Sequence, residues 1–316
     1  MSELEKMLRE TARQLLTENQ VEVIIGFERG TLPLRTTPCF IRDSDQVDRL
    51  VWNQSCENNL AKYLHHATGK VGIVVKGCDA RAVVSAAVER QIPREDVVII
   101  GVPCQGVIDR QAIEARLDGH EVLEAYITGG QVVLCGADFE ERVDLQEALS
   151  GDCAVCRHKN PPLYDVLVSE PGEDTQSAGE HPTVQELESW TADERWEYFS
   201  NEFSRCIRCY ACRQACPCCY CAECFVDQAQ PSWFGKSDDL SGVIAFHLVR
   251  VYHVAGRCVD CGACARACPM HIDLRTLGRK LEKDVRELYD YEAGMDLEAT
   301  PPLSTFRTDD PQEFIK

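Results

Sequence analysis

The stretches Cys206-Ile207-Arg208-Cys209-Tyr210-Ala211-Cys212-Arg213-Gln214-Ala215-Cys216-Pro217 and Cys258-Val259-Asp260-Cys261-Gly262-Ala263-Cys264-Ala265-Arg266-Ala267-Cys268-Pro269 repeat one pattern, Cys-x2-Cys-x2-Cys-x3-Cys-Pro. Three thiolates at this spacing can wrap one face of a cubane cluster while nearby backbone N–H groups point at its sulfides. The fourth Cys, held beside a Pro, is aimed at the other cluster. The pattern therefore assigns Cys206, Cys209, Cys212 and Cys268 to one 4Fe–4S centre, and Cys258, Cys261, Cys264 and Cys216 to a second. Zinc sites more often use two separated Cys-x2-Cys pairs or Cys/His mixtures. A colourless zinc protein without redox chemistry is the reading that metal analysis and visible absorbance would separate from this one.

Outward from these runs, the bulk composition sets limits. A chain of 316 residues is long enough for two domains, each with its own core. It carries 19 Cys, too many for idle core thiols once the two runs are set aside. A disulfide scaffold belongs to secreted proteins, but the N-terminal MSELEKMLRETARQLL is charged and amphipathic, with no apolar leader segment. No stretch approaches the length of a membrane span. The expected setting is cytoplasmic and anaerobic, with thiols reduced and bound to iron. The net charge of −19 argues against a nucleic-acid partner, because phosphates need a basic footprint. Much of the acidity falls in residues 169–202, a solvated connector or a strip for a basic partner.

Strand-like runs at Val21–Phe27, Val71–Lys76, Val97–Val102, Val122–Thr128 and Gln131–Cys135 alternate with helical segments. Helices are expected at 4–16, at 58–68, at 80–91 with Asp79 as N-cap, and at 109–117. Gly129-Gly130 marks a hairpin. This order predicts an α/β N-terminal domain with a partly parallel sheet over 1–168. An acidic linker (169–199), a mainly α-helical domain holding both Cys runs (200–295) and a polar tail (296–316) complete the organisation. The last helix is expected over 274–291, with Gly294 as its stop.

The remaining cysteines form two groups. Cys218, Cys219, Cys221 and Cys224 crowd into seven residues between the runs, and suggest a third cluster completed by Cys153 and Cys156. Cys78 and Cys104 each follow a predicted strand, where the ends of parallel strands converge on a crevice. Cys78 and Cys56 also sit at expected helix starts, whose N–H groups favour an anion. Cys56, Cys78 and Cys104, with Cys153 and Cys156, thus make a further ligand pool, so the expected cluster number is at least two and reaches three or four. Cys39, alone between Pro38 and Phe40, reads as structural. No GxSxG elbow, HExxH helix or phosphate-binding glycine loop gives hydrolytic or nucleotide chemistry a foothold.

Two resemblances follow. The longer interval between the runs, and Pro269-Met270-His271-Ile272-Asp273 before a helix, resemble the α-helical two-cluster ferredoxin domain of multi-subunit reductases. Gly101-Val102-Pro103-Cys104-Gln105-Gly106, then Cys153-x2-Cys156, Pro162 and Asp165, resembles the beta-subunit family of coenzyme F420 hydrogenase and formate dehydrogenase. The run from Cys206 to Arg213 and on to Cys224 is similar to its formate dehydrogenase branch. The resemblance implies an electron-transfer component that passes electrons among redox subunits of a heterodisulfide reductase, formate dehydrogenase or hydrogenase assembly. Its alternative is a flavin-containing subunit that oxidises reduced F420 or NAD(P)H. Members that bind FAD carry a glycine-rich turn where this chain reads Asn53-Gln54-Ser55-Cys56-Glu57-Asn58-Asn59, without Gly, which argues against FAD.

Overall fold

The computed structural model describes residues 2–172, 182–235, 239–302 and 305. In chain order the elements are α1 (Glu3–Thr17), β1 (Val23–Arg29), β2 (Thr36–Ile41), β3 (Val71–Val75), α2 (Gly77–Val88), β4 (Val97–Gly101), α3 (Arg110–Arg116), β5 (Glu124–Thr128), β6 (Gln131–Cys135), β7 (Glu140–Asp144), α4 (Leu145–Ala148), α5 (Gly151–Ala154) and β8 (Val166–Leu167). They are followed by α6 (Pro182–Ser189), α7 (Ala192–Ser204), α8 (Ala211–Ala215), α9 (Leu240–His253), α10 (Ala263–Arg266) and α11 (Arg275–Tyr289).

The main sheet has the order β2-β1-β3-β4-β8. β1, β3, β4 and β8 run parallel, and β2 lies antiparallel against β1. β3 reads VGIVV and is buried throughout, as a central parallel strand covered on both faces must be. Gly72 in this strand leaves room for Ile24 of β1; a Cβ there would stand 2.5 Å from Ile24 Cδ1. α1 is fixed at its start by a capping box, with Glu5 N donating to Ser2 Oγ at 3.1 Å and Ser2 N to the Glu5 carboxylate at 3.3 Å. Its inner face buries Leu8, Ala12 and Leu15. β5, β6 and β7 form a separate three-stranded antiparallel sheet. Gly129 and Gly130, both with positive φ, make the β5–β6 turn as the sequence indicates.

Some expectations shift. β2 is not legible as a strand because Pro38 interrupts it. The fold places it at the sheet edge, where a missing N–H is tolerated. Residues 58–68 do not form an α-helix; a 3-10 helix covers Leu60–His66. The Asn58 carbonyl, which would open such a helix, instead accepts from Lys76 Nζ at 2.7 Å. Asp79 is not an N-cap. α2 begins two residues earlier, and the Asp79 carboxylate is buried in its first turn against Lys76 Nζ at 2.8 Å.

In the C-terminal half, α7 opens on a Thr191/Glu194 capping box and leads directly into the first Cys run. α9 and the segment 268–274 pack around Phe203, Val243, Phe246, Ile272 and Leu274. α11 ends at left-handed Asp290, ahead of the expected stop at Gly294. Gly294 serves packing: a Cβ there would meet the Arg81 carbonyl at 2.1 Å, so only glycine lets the chain lie on α2. Arg81 grips the same segment, donating to Ala293 O at 3.0 Å and Val259 O at 3.4 Å. Of the expected linker 169–199, residues 173–181 lie outside the described residues, and α6 and the first part of α7 take up most of 182–199; of the tail 296–316, residues 303–304 and 306–316 lie outside them.

Candidate metal centres

The two Cys runs fold alike. Arg208 and Tyr210 in the first run, and Asp260 and Gly262 at the matching positions of the second, all adopt positive φ. Three of the four are not glycine, and such a backbone is costly unless its surroundings enforce it. The two left-handed residues curl each run between its Cys positions.

Cys206, Cys209, Cys212 and Cys268 line one cavity, together with Phe246, His247 and Ile272. Cys212 and Cys268 are buried, whereas Cys209 is exposed beside Ile207, which is 59% exposed. Arg208 N points at Cys206 Sγ at 3.4 Å, and His247 Nε2 lies 3.3 Å from the same sulfur. His247 is held flat on Phe203, with ring centroids 4.4 Å apart. Burial pushes the Cys212 thiol up to about 11.

Cys258, Cys261 and Cys264 come together with Cys216, and each of the three feels the charge of Cys216. Burial pushes Cys261 up to about 12. Cys216 is held well below its ordinary value by hydrogen bonds from the Cys218 and Cys219 thiols, which outweigh burial. Among the described residues all 19 cysteines are free. The groups are drawn together less tightly than around a single ion: no three His, Cys, Asp or Glu side chains among the described residues are placed to hold one. Four thiols lining one cavity, with an N–H aimed at sulfur, suit a larger, multi-atom anionic group, so the donor set fits a cubane cluster.

The N-terminal pool also converges. Cys104, just past β4, feels the charges of Cys153 and Cys156, and Cys78 and Cys56 feel that of Cys104. Gly106 N points at Cys104 Sγ at 3.3 Å, and Val107 N at Cys153 Sγ at 3.4 Å. Lys76, 3% exposed at the end of β3, lies among Cys56, Cys78 and Cys104 and helps offset the cost of charging them. Gly77 allows this approach, since a Cβ there would stand 2.0 Å from the His158 carbonyl. Cys56 does not open a helix as expected; it is buried in the turn before Asn59, and burial pushes its thiol up to about 12. Cys39 is buried within β2.

The expected grouping of Cys218, Cys219, Cys221 and Cys224 with Cys153 and Cys156 does not form. Cys153 and Cys156 are held beside Cys104 by the Val107 N–H and by Cys104 N donating to Lys159 O at 2.9 Å. Cys218 and Cys219 fold back on Cys216, and Cys218 also feels Cys258 and Cys261. Cys221 is exposed, and Cys224 bonds to Arg213. Tyr220 anchors this loop elsewhere, its ring tilted against that of His65 and its hydroxyl donating to Glu89.

Charged residues complete the picture. Arg205, Arg213 and Arg257 pair with Glu202, Asp227 and Glu89. Asp260 pairs with Arg275 and Arg279, and His271 is exposed, with Nδ1 at 2.8 Å from Gln111 Oε1. Arg208 is buried and Arg266 half-buried. Arg266 feels Cys261, Cys153 and Cys78. Lys76, His247 and Arg250 were not legible as site residues. The signal available for the last two was a pair of polar positions three apart within the apolar run of α9.

No protein-family model matches the chain. The F420-dependent formate dehydrogenase subunit beta of Methanocaldococcus jannaschii is 25% identical over 355 aligned residues, 92% of each protein. Subunit beta of F420-dependent formate dehydrogenase 1 of Methanococcus maripaludis is 25% identical over 92% of this chain and 91% of its own length. This chain is similar to those beta subunits along nearly its whole length. A ferredoxin-3 candidate of Sinorhizobium fredii shares 51% identity over 35 residues, 11% of this chain and 32% of that one. A solved chain of the F420-reducing [NiFe] hydrogenase complex of Methanosarcina barkeri matches with a TM-score of 0.36 and 18% identity, over 48% of this chain and 59% of that one. No helix among the described residues is long and apolar enough to cross a membrane.

Proposed function

We propose that the chain is an iron–sulfur electron-relay subunit of a multi-subunit oxidoreductase, of the formate dehydrogenase, hydrogenase or heterodisulfide reductase type. The observation that carries this reading is the crossed grouping of thiols, in which the last Cys of each run stands with the first three of the other. In this reading Cys206, Cys209, Cys212 and Cys268 hold one cluster, and Cys258, Cys261, Cys264 and Cys216 a second. Cys78, Cys104, Cys153 and Cys156, with Cys56 close by, hold a third. When bound, such clusters supply reversible one-electron chemistry without a substrate pocket.

The residues also suggest an order. Cys212 feels the charge of Cys264, so the first and second groups adjoin. Cys78 feels that of Cys261, so the second adjoins the N-terminal pool. Exposed Cys209 and Ile207 mark the face through which the first group would exchange electrons with another redox subunit.

The relatives' names bring coenzyme F420 into view. Against a flavin site, the stretch Asn53–Asn59 is closed on itself: Ser55 N donates to Asn53 Oδ1 at 2.8 Å, and the Thr36 hydroxyl to Ser55 O at 2.8 Å. Protein isolated under strict anaerobiosis tests the reading. About twelve iron and twelve sulfide per chain are expected from three cubane sites, with no FAD released by acid. Iron-free, colourless protein would end the proposal, and stoichiometric FAD would turn it toward the flavin-containing subunit.

A further inference from the structure

Arg250 lies on the buried face of α9 and is 5% exposed. Its Nη2 donates to the Cys212 carbonyl at 3.2 Å, and its guanidinium is within hydrogen-bonding reach of the Cys264 thiol. It also feels the charges of Cys216 and Cys219. No carboxylate among the described residues pairs with it, and its Nε is buried without a partner.

A buried cation with no counter-charge costs several kcal/mol. Thiolates held by metal are anionic and would balance it. Arg250 therefore makes electrostatic sense when both neighbouring Cys groups are loaded. Its planar fork suits a position between two runs, where a lysine would present a single point.

We infer that Arg250 is a shared cation between the two ferredoxin-type groups and raises the reduction potential of both at once. This rests on the relay reading above and deepens it. Each group gains negative charge on reduction, and a fixed neighbouring positive charge favours that state. Arg266 is the natural comparison. It faces the second group and the N-terminal pool, with Nη2 donating to Cys261 O at 2.9 Å and Glu57 O at 2.7 Å.

The test uses the full chain, purified anaerobically, with iron and sulfide counted before any other measurement. Iron-free parent protein would defeat the relay reading itself, before this inference is reached. The parent, Arg250→Gln, Arg250→Lys and Arg266→Gln are then titrated redox-wise with EPR detection. In Arg250→Gln, both ferredoxin-type signals should become at least tenfold harder to reduce, a fall of about 59 mV for a one-electron couple. Arg250→Lys should recover most of that loss, because it keeps the charge. Arg266→Gln should lower the second signal and leave the first in place. An Arg250→Gln protein with full iron and an unmoved potential at either group would overturn the inference. Should that variant fail to load, the other two decide it: a tenfold shift in Arg250→Lys, or an equal shift of both groups in Arg266→Gln, would refute it.

Discussion

Gly77→Ala separates the N-terminal pool from the two ferredoxin-type groups. Gly77 opens α2, between Lys76 and Cys78. The added Cβ would stand 2.0 Å from the His158 carbonyl oxygen and 3.0 Å from that of Asn160. Both are backbone atoms, so the 158–160 segment has to retreat by more than an ångström. Cys156 precedes this segment by two residues, and Lys159 O holds Cys104 N at 2.9 Å. The shift therefore opens the grouping of Cys104, Cys153 and Cys156 against Cys78. In an ordinary helix interior this substitution gains about 1 kcal/mol. Overpacking against backbone costs about 1–3 kcal/mol, and the severity of this contact puts it at the upper end. The net expectation is a loss of about 2 kcal/mol. Iron analysis should fall from about twelve to about eight per chain, with both ferredoxin-type EPR signals retained. The thermal midpoint should drop by several degrees. A Gly77→Ala protein with undiminished iron and a higher midpoint would refute the reasoning about both the close contact and the pool.

Cys264→Ala should remove the second group and interrupt electron passage. About four iron per chain should be lost, while circular dichroism shows the N-terminal sheet still folded; normal turnover would argue against an in-line role. Phe246→Ala should cost about 3–5 kcal/mol, because Phe246 is 1% exposed and packs on Tyr210 and His247; a denaturant midpoint within error of the parent would contradict this. Glu292 offers a pH test. Burial alone would raise its carboxyl, but the hydrogen bond from His158 and the Arg81 and Arg157 charges prevail and hold it at about 2. A depressed carboxyl stabilises the fold above its unfolded value and loses that contribution only as pH falls toward 2. The stability advantage of the parent over Glu292→Gln should therefore shrink as pH falls from 5 to 2; an advantage unchanged over that range would mean that the carboxyl is not depressed.

The legible parts of this molecule are those encoded by short-range spacing. Each Cys run carries its own curl, and β3 and β4 announce themselves as short stretches rich in β-branched residues. What was hidden depends on distant contacts. β2 was masked by Pro38, which is tolerated because of where the strand lies and not because of what it is. Residues 58–68 have a helical pattern, but Lys76 takes the carbonyl that would have started the helix. The sequence leaves Cys153 and Cys156 two sets of neighbours, because linear order says nothing about which loop the Val107 N–H will grip. Arg250 looked like one polar position in an apolar helix, and its significance appears only when two runs 52 positions apart are brought to either side of it.

That crossed arrangement has a consequence for how the molecule is made. Each four-thiol cage borrows a corner from the other run, so neither can close until the second run has been made. The first cage waits for Cys268, roughly sixty residues after Cys206 has been synthesised. Any inorganic filling delivered earlier would meet a basket with one side missing. Maturation of the pair is thereby tied to synthesis of the second run, and a product terminated ahead of Cys258 would lack both.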